Sequence, residues 1–166
     1  MSVHVRRARP GDADAIADVH VRTWQTAYEP VFGAERLATI DAERRRAWWE
    51  RCVAEGLETV LVAELDGRVA AFASVGPSSD PPDAGEVYAI YALPESWGTG
   101  AGPALLEAGV EALRAAGYPF AVLWVLDDNP RARRFYEREG WTLDGQERRG
   151  EHLGVETLEV RYRRGL

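Results

Sequence analysis

Residues 86 to 126 read EVYAIYALPESWGTGAGPALLEAGVEALRAAGYPFAVLWVL, two apolar strand-like runs joined by a glycine cluster and a helical stretch. Leu106, Val110 and Leu113 recur at i, i+4 and i+7, the spacing of one helix face, and Gly117 stands where a helix-ending glycine belongs. PFAVLWVL is apolar almost without a break, as expected of a strand buried on both faces. A strand–helix–strand unit of this kind predicts parallel strands joined by a right-handed crossover. The flanking sequence sets it inside a mixed sheet.

Ahead of it, VHVRRA (3 to 8) alternates as a first strand, and RPGDADAIADVHVRTWQTAY reads as a helix with Asp12 as N-cap and Ile16, Val19, Trp24 and Ala27 near one face. A second helical region spans roughly 34 to 55, with Leu37, Ile40, Trp48 and Cys52 as its apolar positions. ETVLVAEL and RVAAFASV flank Asp66-Gly67, a strong hairpin signal. GPSSDPPDAG (76 to 85) suits a surface loop better than a linker. After the unit, DDNPRARRFYEREG is a sharply punctuated helix: Asn129 as N-cap, Pro130 at the first helical position, Gly140 as terminator. Two closing strands fill WTLDGQERR and VETLEVRYRR. The expected order is β-α-α-β-β-β-α-β-α-β-β, an α/β fold on residues 1 to 166 as a single domain.

That length is enough for one sizeable core. No run approaches 18 apolar residues, so no membrane span or membrane partner is expected. The start MSVHVRRARPGD has no apolar core before a small-residue cleavage site, so no signal peptide is expected. The one cysteine, Cys52, fits a reducing cytoplasm and reads as a buried small hydrophobe. A net charge of −7 argues against nucleic acid as a partner and is compatible with a cationic one. His4, His20 and His152 are scattered without ligand spacing, so no metal is expected.

WGTGAG (97 to 102) has three glycines between a strand and a helix. First-turn N–H groups of that helix, with its dipole and the missing Cβ atoms, suit an anion such as a phosphate. A plain tight turn explains the same glycines. No Lys-Ser or Lys-Thr pair follows Gly102, so this is not a P-loop, and G-x-G-x-G is not the dinucleotide fingerprint.

IYALPESWGTGAGPALLEAGVEAL resembles the acetyl-CoA-binding motif of the GNAT family of N-acetyltransferases, Q/R-x-x-G-x-G/A, and DDNPRARRFYEREGW resembles that family's second block. Two blocks at the expected separation, and the element order over roughly residues 3 to 163, make the resemblance specific. It implies a mixed, mostly antiparallel sheet of about seven strands with a central β-α-β crossover and flanking helices. It also implies transfer of an acetyl group from acetyl-CoA to an amine by direct attack in a ternary complex. The acceptor it implies is a small amine or a peptide N-terminus, with a polyamine, an aminoglycoside-like drug and an amino acid all open, and a homodimer is common in the family. Another short acyl-CoA as donor, or a module that binds acyl-CoA without turnover, are the rival readings.

Carried over by residue, main-chain groups of Ile90, Tyr91 and Ala92 would bind the pantetheine arm between parallel strands ending near Ala92 and Val125. Backbone donors from Trp97, Gly98, Thr99, Gly100, Ala101, Gly102 and Pro103 would hold the pyrophosphate. Trp97 departs from the family's Gln or Arg, and Pro103 lacks an N–H, although a proline also suits a first helical turn. Asn129 would add a coenzyme contact to its capping role. Arg133 would meet a phosphate or belong to a solvated basic face. Tyr136 would protonate the leaving thiolate, a task that suits a phenol of reference pKa about 10, or simply pack beside Phe135. Glu86 would serve as base toward the amine, directly or through water, or face solvent; it shares a strand face with Tyr88, Ile90 and Ala92 unless a bulge intervenes. Asp83 is a weaker substitute. Trp124 stands where the family's ribosomal-protein acetyltransferases carry a base-like Glu, so that mechanism is not expected. Trp24 and Tyr28, i and i+4, pack in the core or wall the acceptor site.

Overall fold

The computed structural model describes residues 2–166. Strand β1 (Val3–Arg7) passes through a 3-10 turn at Pro10–Asp12 into α1 (Ala13–Ala27), and two single-turn helices, α2 (Glu29–Phe32) and α3 (Ala34–Leu37), precede α4 (Ala42–Glu55). Then come β2 (Thr59–Leu65), β3 (Arg68–Pro77), β4 (Gly85–Ala92), α5 (Ala101–Ala115), β5 (Phe120–Leu126), α6 (Pro130–Arg138), β6 (Thr142–His152) and β7 (Val155–Gly165). The strands form a seven-stranded mixed sheet in the order β1-β2-β3-β4-β5-β7-β6. β4 and β5 are parallel, as the crossover requires, and β1–β2, β2–β3, β5–β7 and β6–β7 are antiparallel. The chain divides into two compact units, one running up to Val75 and including Ala89–Gly109, the other made of Gly76–Tyr88 and Val110–Leu166.

In the first unit, alternation along the hairpin builds a core on both faces. Val60, Val62 and Phe72 join Ile16 and Val19 of α1 and Trp49 and Cys52 of α4, with Ala89 and Tyr91 packed alongside. Leu61, Ala63, Ala71 and Ala73 turn the other way, to Ala101 and Leu105 of α5, with Ile90 and Ala92 alongside. Asp66 (φ 49°) and Gly67 (φ 81°) both take positive φ, the conformation a tight two-residue hairpin demands.

Two expectations need correcting here. Asp12 precedes α1 but makes no side-chain cap. Its carboxylate accepts instead from the Arg9 amide at 2.7 Å and from the Arg6 guanidinium at 2.7 and 3.0 Å. Arg6 also grips Glu64 of β2, and these hydrogen bonds hold the Asp12 carboxyl below its ordinary range. The helical region expected from 34 to 55 is broken, and its buried tryptophan is Trp49 (3% exposed) rather than Trp48 (41% exposed). Phase explains the swap. Asp41 caps α4 by accepting from the Arg44 amide at 3.0 Å, so Leu37 and Ile40 lie outside the helix and do not set its register. Trp49 and Cys52, i and i+3, then define the buried face.

In the second unit, Gly85, Glu86 and Val87 pair with Ala121, Val122 and Leu123, while β4 runs on to Ala92 and β5 to Leu126. Gly85 lies beneath Leu113 of α5; a Cβ there would stand 2.8 Å from Leu113 Cδ2, so no larger residue fits without a shift. Asn129 caps α6 by accepting from the Ala132 amide at 3.2 Å, and Gly140 (φ 89°) follows its end, both as the sequence predicts. Tyr162, wholly buried on β7, anchors that helix: its hydroxyl donates to Glu137 at 2.9 Å and accepts from Arg133 Nε at 3.1 Å. β6 is polar nearly throughout and ends the sheet order, which guards the edge against further pairing.

Candidate active site

The turn after β4 is built to present backbone. Ser96 Oγ donates to the Leu93 carbonyl at 2.7 Å, and Thr99 Oγ1 donates to the Ser96 carbonyl, so hydroxyls close the bend. Gly98 and Gly100 have φ of 78° and 90°, a conformation that side chains resist, and a Cβ on either would meet nothing within 4 Å. The space beside these glycines is therefore open to a ligand. The Ala104 amide bonds the Gly100 carbonyl at 3.2 Å, which starts α5 and leaves the earlier amides, including Gly102, outside the helical ladder. Pro103 stands in the first turn, where a missing N–H removes only one such donor. An anion of phosphate type fits this turn by charge and by space.

Trp97, the residue that breaks the family pattern, has a definite task. Its indole Nε1 donates to the Ala92 carbonyl at 2.9 Å, tying the turn back to the end of β4. Thr23 Oγ1 of α1 donates to the same carbonyl at 3.2 Å. Both lone pairs of that oxygen are thus engaged, and a ligand strand beside β4 has to use other main-chain groups. Sequence reasoning missed Thr23, whose role depends on a contact 69 positions away. Trp97→Phe keeps an aromatic ring and removes the hydrogen bond. If the turn holds acetyl-CoA as the resemblance implies, KM for it should rise about fivefold, the worth of one hydrogen bond near 1 kcal/mol, with kcat within twofold, in steady-state kinetics.

The same unit holds an aromatic cluster around His20. The His20 ring stacks on Tyr91 (centroids 5.3 Å apart) and meets Trp49 edge-on at 5.9 Å. Its Nδ1 accepts from Trp49 Nε1 at 3.1 Å. Burial, helped by Arg45, pushes the imidazole down to about 4, so it is neutral and works as an acceptor inside the core. Trp24 stacks on Phe32 at 5.8 Å and meets Tyr28 edge-on at 4.7 Å, so Trp24 and Tyr28 are packed together as the core reading expects. Cys52 is fully buried, and burial pushes its thiol up to about 11, which suits a packing residue.

In the second unit, α6 brings Asn129, Arg133 and Tyr136 onto one short helix. Tyr136 is 8% exposed, with ring centroids 5.3 Å from Phe135 and 6.1 Å from Tyr162. Arg133 uses Nε on Tyr162 and Nη1 on Asp127 (2.8 Å), so its first duty is to fix α6 on the strand beneath.

Glu86 is half-buried on the opposite face of the same strands. It pairs with Val122, and that face continues through Trp124 to Arg161 on β7. Burial raises its carboxyl above the ordinary value, and Glu159 adds to this; the nearby Ser78 hydroxyl, Arg148 and Arg161 act the other way. Gly85 turns to Leu113 of α5, and Ile90 and Ala92 pack with Ala101 and Leu105 of that helix. Glu86, the next residue along β4 after Gly85, therefore faces away from Leu113. Among the described residues no group of three or more His, Cys, Asp or Glu could hold a metal, and no helix is long and apolar enough to cross a membrane.

A parallel crossover whose turn offers amides at a helix start makes an α/β protein suited to an anionic ligand. Residues 17–141 match the acetyltransferase (GNAT) family, and the chain belongs to that family. It is 37% identical over 131 residues to the uncharacterized N-acetyltransferase YuaI of Bacillus subtilis, covering 77% of this chain and 74% of that one. It is 35% identical over 145 residues to the mycothiol acetyltransferase of Acidimicrobium ferrooxidans, covering 86% of this chain but only 44% of that protein. The fold is that of the PaiA N-acetyltransferase from Thermoplasma acidophilum, solved in complex with coenzyme A, with a TM-score of 0.79, 17% identity and full coverage of both chains.

Proposed function

We propose that the protein transfers an acetyl group from acetyl-CoA to a primary amine, a small amine or a peptide N-terminus, by direct attack within a ternary complex. The observation that carries this is the turn at residues 97–103, with two positive-φ glycines beside open space at the start of α5, in a chain of the GNAT family. The coenzyme A bound by the Thermoplasma relative supports acetyl-CoA as co-substrate. Amides of Gly98, Gly100, Ala101 and Gly102 would hold the pyrophosphate, with Ile90 and Tyr91 supplying main-chain groups to the arm and Asn129 a further contact. Acetyl-CoA supplies the acyl group as a thioester.

The rest is done by side chains. A primary amine is mostly ammonium at neutral pH and must lose a proton before it attacks. Glu86, desolvated and raised, is suited to take it directly or through one water. Tyr136 then gives a proton to the departing thiolate. The chemistry needs no metal, and the single buried, unpaired cysteine fits a location in the reducing cytoplasm.

Free thiol release from acetyl-CoA across a panel of primary amines is the direct test. Amine-dependent release at least tenfold above the rate without amine is expected. A protein stabilised against heat by acetyl-CoA yet releasing no thiol with any amine would instead be a binding module. A protein that shows neither stabilisation by acetyl-CoA nor thiol release with any amine overturns the proposal.

A further inference from the structure

The wall around Glu86 carries more charge than proton transfer requires. Trp124 is half-buried, and the Arg148 guanidinium carbon lies 4.3 Å from its ring centroid, with that of Arg161 at 5.7 Å. The two arginines are held differently. Arg161 Nε meets Asp144 at 2.6 Å with both side chains 13% exposed, and Arg161 Nη1 also reaches the Asp80 carbonyl at 3.3 Å. That is a short, shielded pair, fixed as part of the fold. Arg148 meets Glu159 at 3.1 and 3.4 Å while its own side chain is 50% exposed. Glu159 is only 14% exposed and takes the Nε and Nη2 side of the guanidinium, while Nη1 takes part in neither bond.

Lying over the indole also holds that guanidinium in place. Its Nη1 edge, on a half-exposed side chain, is where a further carboxylate would be met. Glu86 faces the same cluster and feels Arg148, Arg161 and Glu159. Counting charges, Arg161 is matched by Asp144 and Arg148 by Glu159, so Glu86 is left over as the carboxylate that a cation should meet. The wall thus offers an anion for an ammonium and, beside it, a preset cation with one edge not taken by Glu159.

We infer that the acceptor carries a carboxylate as well as its amine, an amino acid or short peptide, with the amine at Glu86 and the carboxylate on the Nη1 edge of Arg148, over Trp124. This rests on Glu86 being the base, since that fixes where the amine sits. The second ammonium of a polyamine would meet Arg148 and Arg161 and be disfavoured.

The test uses glycine, diglycine and triglycine, each beside its C-terminal amide, in the thiol-release assay with acetyl-CoA. For at least one length the free acid should exceed its amide in kcat/KM by tenfold or more. Arg148→Met, which keeps an unbranched chain to lie over Trp124, should bring that ratio near 1, and Arg148→Lys should restore part of it. A circular-dichroism melt checks that both variants are folded. Acid and amide used equally at every length, or an acid preference that survives Arg148→Met, overturns the inference and leaves acetyl transfer standing. Amine-dependent release with none of the six, but with other amines, also overturns it, whereas no release with any amine overturns acetyl transfer itself.

Discussion

Replacing Tyr136 by Phe is expected to lower kcat about 10²-fold, the lower end of what a positioned acid contributes, with KM for acetyl-CoA changed less than threefold. The substitution removes one oxygen and keeps the ring, whose contacts with Phe135 and Tyr162 are aromatic. α6 is capped by Asn129 and anchored through Arg133 and Glu137 on Tyr162, none of which depends on the Tyr136 hydroxyl. The helix should therefore stay in place, and a melting temperature within a few degrees of the parent would show it. The leaving group gives the sharper readout. A thiol of lower pKa departs with less need of a proton, so an acetyl thioester of an acidified coenzyme analogue should suffer less from Tyr136→Phe than acetyl-CoA does. Equal loss with both donors would make Tyr136 a packing residue, and an unchanged kcat would give the proton to water.

α6 was legible before any coordinates, because Asn129, Pro130 and Gly140 act through local backbone chemistry: a cap, a missing donor and a positive φ. The β4–α5–β5 unit was legible for the same kind of reason, since a doubly buried strand and a helix face leave period-based patterns. The helical region before β2 was not. Trp48 and Trp49 are neighbours of one type, and only the start of α4 at Asp41 decides which is buried. The site follows the same division. The turn shows in the sequence as three glycines in six positions, and Tyr136 stands as a candidate only through the family resemblance. Trp97 looked like a departure until its indole was seen bonded to the Ala92 carbonyl, and the stack of Arg148 on Trp124 joins two strands whose register the sequence does not state.

Glu86→Gln separates a base from a merely buried carboxylate, because the two roles move activity and stability in opposite directions. As base, Glu86 must be ionised, and its amide is expected to cost 10²-fold or more in kcat/KM for the amine at neutral pH. The parent's acid limb should lie above the ordinary carboxylate value of 4.5, since burial raises this carboxyl. The amine titrates as well, but equally for both proteins, so the ratio of parent to variant isolates Glu86: it should be largest at neutral pH and shrink on acidification. Arg148 holds the carboxyl down, so Arg148→Met should move the limb further up. The sign for stability follows from linkage. A carboxyl whose folded pKa is raised binds its proton more tightly in the native state than in the unfolded chain. Its stabilising contribution is complete below the unfolded value and is lost as pH rises through the folded one. At neutral pH the parent carries a desolvated charge that glutamine does not, so Glu86→Gln should melt at or above the parent there, with the gap closing below pH 4.5. A variant both slower and more stable at neutral pH fits a strained catalytic carboxylate; one that is slower only because it melts earlier would return Glu86 to the fold.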